Sequence, residues 1–85
     1  MRKECLITFR SVTFAQHGQR VLQREHIYCQ LQRTPKILTT RGCGYCLRLR
    51  ESNVAAAVAA LHSEQISYGK VYELREDGIP KEWAL

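Results

Sequence analysis

Apolar residues alternate with polar ones in four short runs of this chain and recur at helical spacing in two longer ones. That order leaves few folds open. Glu4–Arg10 (ECLITFR) puts Cys5, Ile7 and Phe9 on one side and Leu6, Thr8 and Arg10 on the other, a strand with the first set toward a core. Ser11 or Thr13 offers an N-cap, and Thr13 with Gln16 three residues on makes a capping box. Phe14, Gly18, Val21 and Leu22 then fall on one face of a helix running to about Glu25. Gly18 costs that helix about 1 kcal/mol against alanine, tolerable where helix and sheet lie close.

Ile27–Arg33 (IYCQLQR) alternates again, with Ile27, Cys29 and Leu31 inward, until Pro35 ends or bends the run. Thr34–Gly42 reads as a loop with one apolar pair, Ile37 and Leu38, longer than most hairpin connections and so a place for function. Tyr45–Arg50 (YCLRLR) is the third strand: Tyr45, Leu47 and Leu49 on one face, Cys46, Arg48 and Arg50 on the other. Ser52 is placed to cap a second helix, NVAAAVAALHSEQ, buried along Val54, Val58 and Leu61. Lys70–Arg75 is the fourth strand. Beyond it, 77–85 reads as an irregular tail with a turn at Asp77–Gly78 and Trp83 as a packing anchor, leaving 1–76 as a single domain.

The β-α-β-β-α-β order predicts an α+β, ferredoxin-like fold: a four-stranded sheet with two helices on one face and right-handed crossovers. The other face would be open and would show Tyr28, Gln30, Gln32, Cys46, Arg48 and Arg50. Such a polar, basic face suits a partner or a second copy of the chain. The net charge of +5, thirteen Lys and Arg against eight acids, favours anionic partners, yet it is spread along the chain without a dense block.

No apolar run approaches the ~18 residues of a membrane span. The basic start MRKECLITFRS is broken by Arg10 too soon for a secretory signal, so a cytoplasmic protein is expected. In a reducing compartment the four cysteines stay thiols, and three of them (Cys5, Cys29, Cys46) lie in strand-like runs unlike those of a disulfide scaffold.

The remaining cysteine has a different setting. In TTRGCGYCLRLR, Cys43 lies between Gly42 and Gly44, with Arg41 two residues before it and Arg48 in the run that follows. Cations and unpaired backbone N–H groups favour the thiolate, the nucleophilic form. Glycines on both sides leave no side chain over the sulfur. A thioredoxin-type role for the Cys43–Cys46 pair lacks its helix, because the residues after Cys43 alternate as a strand. Zinc needs about four ligands and finds one C-x-x-C, so no metal and no cofactor is expected. No histidine is spaced to act as a base for hydrolysis. On the residues alone, Cys43 reads equally well as a carrier thiol or as an ordinary loop cysteine whose glycines make the turn.

The stretches LITFRSVTFA, RTPKILTTRGCGYCLRL and VYEL, from roughly Cys5 to Leu74, resemble the small selenium/sulfur (Se/S) carrier-like family. Its T-P-x-x-hydrophobic-small-small-x-x-C-G pattern falls on Thr34, Pro35, Cys43 and Gly44, followed by Arg48. Cys46 stands where a small apolar residue would fit the pattern, and the alanine-rich second helix also departs from it. The resemblance implies a carrier or sulfur-relay accessory rather than a stand-alone enzyme. Cys43 would accept sulfur or selenium as a persulfide-type adduct, taking it from a donor protein and passing it to an acceptor. Arg41 and Arg48 would aid the thiolate, Tyr45 would shield it, and Gly42, Gly44 and Cys46 would complete the site. The alternative is a basic module binding nucleic acid or an acidic protein through the open sheet face, though exposed aromatics at stacked positions, as in an RNA-recognition sheet, are missing. A third is a structural subunit that dimerises there.

Overall fold

The computed structural model describes residues 3–34, 44–74 and 81–82. Among these residues five strands and two α-helices follow in the order β1 (Glu4–Phe9), α1 (Val12–Arg24), β2 (Gln30–Arg33), β3 (Tyr45–Arg50), α2 (Val54–Ser63), β4 (Val71–Leu74) and β5 (Lys81–Glu82). One antiparallel sheet takes them all, ordered β2-β3-β1-β4-β5. Each helix therefore joins two strands separated by a third that runs the opposite way.

The chain is α+β as expected, but the sheet has five strands and not four. Lys81 and Glu82, in the stretch read as irregular, pair with Glu73 and Tyr72 and extend the sheet beyond β4. Two charged, exposed residues give no alternation from which a strand could be read.

The register sorts the side chains. Cys5, Ile7 and Phe9 of β1 face the same way as Leu49, Leu47 and Tyr45, their partners on β3, and all but Tyr45 are buried. Ala15, Gly18, Val21 and Leu22 of α1 and Val54, Ala57 and Leu61 of α2 cover that side. Ile27 and Cys29 join this core although β2 begins only at Gln30.

Of the two caps the sequence offered for α1, Ser11 is the one used, its hydroxyl accepting from Phe14 N–H at 3.3 Å, and the Thr13–Gln16 capping box is not the helix start. Phe14 is thereby placed in the first turn and is 45% exposed, while Ala15 takes the buried position. The small face at Ala15 and Gly18 lets α1 come down on Phe9: a Cβ on Gly18 would stand 3.0 Å from Phe9 Cζ and 3.3 Å from Leu61 Cδ2. A 3-10 turn over Glu51–Asn53 precedes α2, so Ser52 is exposed and does not cap it. Asn53 at the cap position makes no side-chain hydrogen bond. Ala57 replaces Val58 in the buried stripe, and Val58 packs at its margin.

The helix ends match each other. His26 N–H donates to Gln23 O and Ile27 N–H to Leu22 O; Gln65 N–H donates to His62 O and Ile66 N–H to Leu61 O. These are two Schellman motifs, each with a buried isoleucine just past the turn. The left-handed residue that is usually glycine is His26 (φ 60°) in one and Gln65 (φ 57°) in the other.

Candidate functional site

Cys43, Arg41 and Gly42 lie outside the described residues, as do Pro35, Ile37, Leu38, the Asp77–Gly78 turn and Trp83. The frame that carries Cys43 is described. Phe9 and Tyr45 are the last pair of β1 and β3, so Arg10 and Gly44 leave the sheet side by side. On the other flank Thr34 N–H donates to Gly44 O at 3.1 Å. Gly44 has φ 156°, at the edge of the region that L side chains avoid, and a Cβ there would lie 3.3 Å from Thr34 Oγ1 and 3.7 Å from Phe9 O. Gly44 thus runs between two strands with no room to spare for a side chain. Cys43 is the next residue back along the chain.

Tyr45 packs against the core on the helix side, with the Arg33 guanidinium 6.0 Å from its ring centroid. That is the outer limit of a cation–π contact. Cys46 points to the opposite, helix-free side, across from Thr8. The sequence reading put Cys46 on an exposed face, but the residue is fully buried. So is Leu6 beside it, flanked in register by Arg48 and Tyr72. The helix-free face therefore has an apolar centre, and alternation alone cannot tell a solvated position from one overlaid by long neighbours.

Burial governs the thiols. The Cys5 thiol is pushed up to about 12, first by desolvation and then by the charges of Glu51 and Glu73. Burial likewise raises Cys29. Cys46 is raised by burial, although the Thr34 and Gln32 side chains and the Arg48 charge all pull the other way. Thr34 Oγ1 is itself buried and without a hydrogen-bond partner of ordinary geometry, so its hold on the Cys46 sulfur is no more than a dipole contact. Among the described residues the one Cys46 contact with hydrogen-bond geometry is long, Sγ to Arg33 O at 3.9 Å. All three cysteines are free and hold their protons at neutral pH.

Arg48 is engaged: its Nε donates to Glu4 Oε1 at 3.1 Å and its terminal nitrogen donates to the same oxygen. Arg50, Tyr28 (76% exposed), Gln30 and Glu4 line a cleft of about 300 Å³ beside that pair. With Glu4 inside it, the cleft is mixed in charge rather than a basic groove. Among the described residues no cluster of His, Cys, Asp or Glu could hold a metal, and no helix is long and apolar enough to cross a membrane.

Two side chains beside the Cys43 frame escaped the sequence reading. Phe14 was read as core and is exposed, while Arg10, read on the outer side of the first strand, is exposed just past its end. The signal was present in the serine at position 11, whose choice as cap fixes where Phe14 points.

The family model described as putative Se/S carrier protein-like matches residues 4–73. The chain belongs to that family. The match runs from the start of β1 nearly to the end of β4 and so takes in both helices and the Cys43–Gly44 pair. No curated protein and no solved structure matches the chain. Within this Se/S carrier-like chain the cysteine accounting is uneven: three thiols are sealed in the core or the sheet, and the fourth adjoins Gly44 in the sequence.

Proposed function

We propose that the protein is a sulfur or selenium carrier of the cytoplasm, a single domain on a ferredoxin-like scaffold, with Cys43 as the acceptor thiolate. The observation that carries this reading is the state of the other cysteines. Cys5, Cys29 and Cys46 are buried and held protonated, so thiol chemistry on this chain falls to Cys43. The order β2-β3-β1-β4 of the first four strands supports the scaffold.

The step is an exchange at sulfane sulfur. The Cys43 thiolate attacks the terminal sulfur of a donor persulfide, R–S–SH; a new S–S bond forms at Cys43 Sγ, the donor S–S bond breaks, and R–S⁻ leaves. No electrons are gained or lost overall, and the reverse exchange hands the sulfur to an acceptor thiolate. Selenium follows the same scheme with a selenosulfide donor. Gly42 and Gly44 leave the approach to the sulfur clear, and Arg41 favours its anion. Tyr45 closes the helix side. Arg48, committed to Glu4, adds only a general positive potential, and Cys46 stays a protonated bystander rather than a resolving thiol. Donor and acceptor are proteins.

Intact-mass measurement after incubation with a cysteine desulfurase and cysteine tests the reading. Wild type gains the mass of one sulfur atom and Cys43→Ser does not. An equal gain on both would remove Cys43 from the role.

A further inference from the structure

Beyond the reacting sulfur, a carrier needs a place where its protein partner settles, and one surface beside Gly44 has the right chemistry. Arg10 follows directly on the Phe9–Tyr45 pair and therefore borders the segment that leads to Cys43. With Phe14, Ser67 and Tyr68 it lines a cleft of about 380 Å³. Phe14 is 45% exposed and its neighbour Val12 38%, two large apolar side chains that the fold leaves outside its own core. Among the described residues no carboxylate lines the cleft and Arg10 makes no salt bridge, and the first turn of α1 has no acidic residue. A helix start favours negative charge, and the first turn of α1 supplies none of its own.

The wall opposite α1 is held firmly. Gly69 N–H donates to Thr8 O, Thr8 N–H donates to Lys70 O at 2.9 Å, and Lys70 N–H donates to Thr8 Oγ1 at 2.9 Å. Tyr68 packs on the core with its ring edge-on to His62, the centroids 5.9 Å apart. This wall of the cleft is a built feature, with Tyr68 packed on the core and Gly69 and Lys70 after it bonded to Thr8 near the end of β1.

We propose that this surface docks the protein that loads Cys43. The docking segment would be acidic, with a carboxylate meeting Arg10 and the open start of α1 and an apolar side chain meeting Phe14. The inference rests on the carrier reading given above, and it assigns to Arg10 and Phe14 a role in partner recognition rather than in sulfur chemistry.

Two donors separate the possibilities. The first is the cysteine desulfurase of the source organism with cysteine; the second is glutathione persulfide, which needs no docking. Arg10→Glu and Phe14→Asp are compared with wild type for the rate at which Cys43 gains sulfur. Phe14→Asp puts an acid in the first turn, which favours the helix, and Arg10→Glu changes an exposed residue, so folding is a poor explanation for shared effects. Docking at this surface predicts a fall of about tenfold or more in enzymatic loading for each variant, the size expected when a contact anchor or steering charge is lost. Loading by glutathione persulfide stays at the wild-type rate. Equal enzymatic loading of wild type and both variants overturns the surface, and so does an equal fall with both donors, which would move Arg10 into the chemistry. Failure of glutathione persulfide to load wild-type Cys43 at all sinks the carrier reading itself, a result distinct from the other two.

Discussion

Arg48 and Glu4 hold each other across the β1–β3 pair, two nitrogens of the guanidinium on one carboxylate oxygen. The pair removes one cation from the face where the sequence suggested a basic surface. Both partners are more than a third exposed, so solvent screens them and the bond contributes at most about 1 kcal/mol. Arg48→Met and Glu4→Gln should each shift the urea midpoint slightly, and the double substitution should cost less than the sum. Raising salt to 1 M should erase most of the difference; a loss above about 2 kcal/mol would mean the pair is worth more than an exposed bridge can be.

Thiol reactivity should divide sharply. Native protein at pH 7.5 should be alkylated by iodoacetamide at Cys43 alone, with Cys5, Cys29 and Cys46 reacting only after unfolding. Peptide mapping of the labelled chain reads this directly. Rapid labelling of Cys46 in the native protein would contradict its complete burial.

Alkali should weaken the fold through the same thiols. Their folded pKa values lie above the ordinary one, so the stabilisation they lend is complete below about pH 9 and is lost as pH rises through the folded values. For Cys5 the window runs from 9.0 to about 12. Within it each unfolded thiol that ionises adds up to about 1.4 kcal/mol of destabilisation per pH unit. Urea titrations between pH 8 and 11 should show wild type losing stability more steeply than Cys5→Ala.

The two helix ends offer a gain. His26 and Gln65 sit at positive φ where glycine has no steric penalty. His26→Gly and Gln65→Gly should each raise stability by about 1 kcal/mol, less the entropy glycine adds to the unfolded chain. Thermal denaturation of both variants checks this, and a fall in Tm for both would show that the side chains contribute contacts.

Glycines against β1 should tolerate nothing larger. At Gly18 the better helix propensity of alanine is worth about 1 kcal/mol, but its Cβ would press on Phe9 and Leu61, and overpacking of this kind costs about 1–3 kcal/mol. At Gly69 a Cβ would be 2.6 Å from Thr8 Oγ1 and 3.3 Å from Thr8 O, where backbone cannot yield. Gly69→Ala should be the worse of the two by chemical denaturation and should also disturb the Tyr68 side of the cleft.

Much of this architecture was legible because strand and helix periods differ and the chain keeps to them. Cys5-Ile7-Phe9 and Leu47-Leu49 declared their face by alternation, and they form the core. What escaped depended on single geometric choices. Two caps were open at the start of α1, and with Ser11 as the one used Phe14 lies in the first turn and is exposed. A 3-10 turn moved the start of α2 and put Ala57 where Val58 was expected. Cys46 obeyed its alternation and was buried anyway, since Leu6 and its long neighbours give the far side of the sheet an apolar centre of its own. Lys81–Glu82 had no pattern to read, because pairing with β4 alone makes it a strand. For the candidate site, residue order singled out Cys43 and its glycines for the proposal, while register alone brought Arg10, distant in sequence, alongside Gly44.

The short fifth strand bears on how copies of this chain could stick together. Among the described residues the sheet beyond β4 ends in two charged ones, too brief a border to template another strand. Its opposite border, Gln30–Arg33, is twice as long and carries a single charge. Fibrils or strand-swapped oligomers, if they form, should therefore grow from the glutamine side, and a lysine at Gln30 or Gln32 would be the place to stop them.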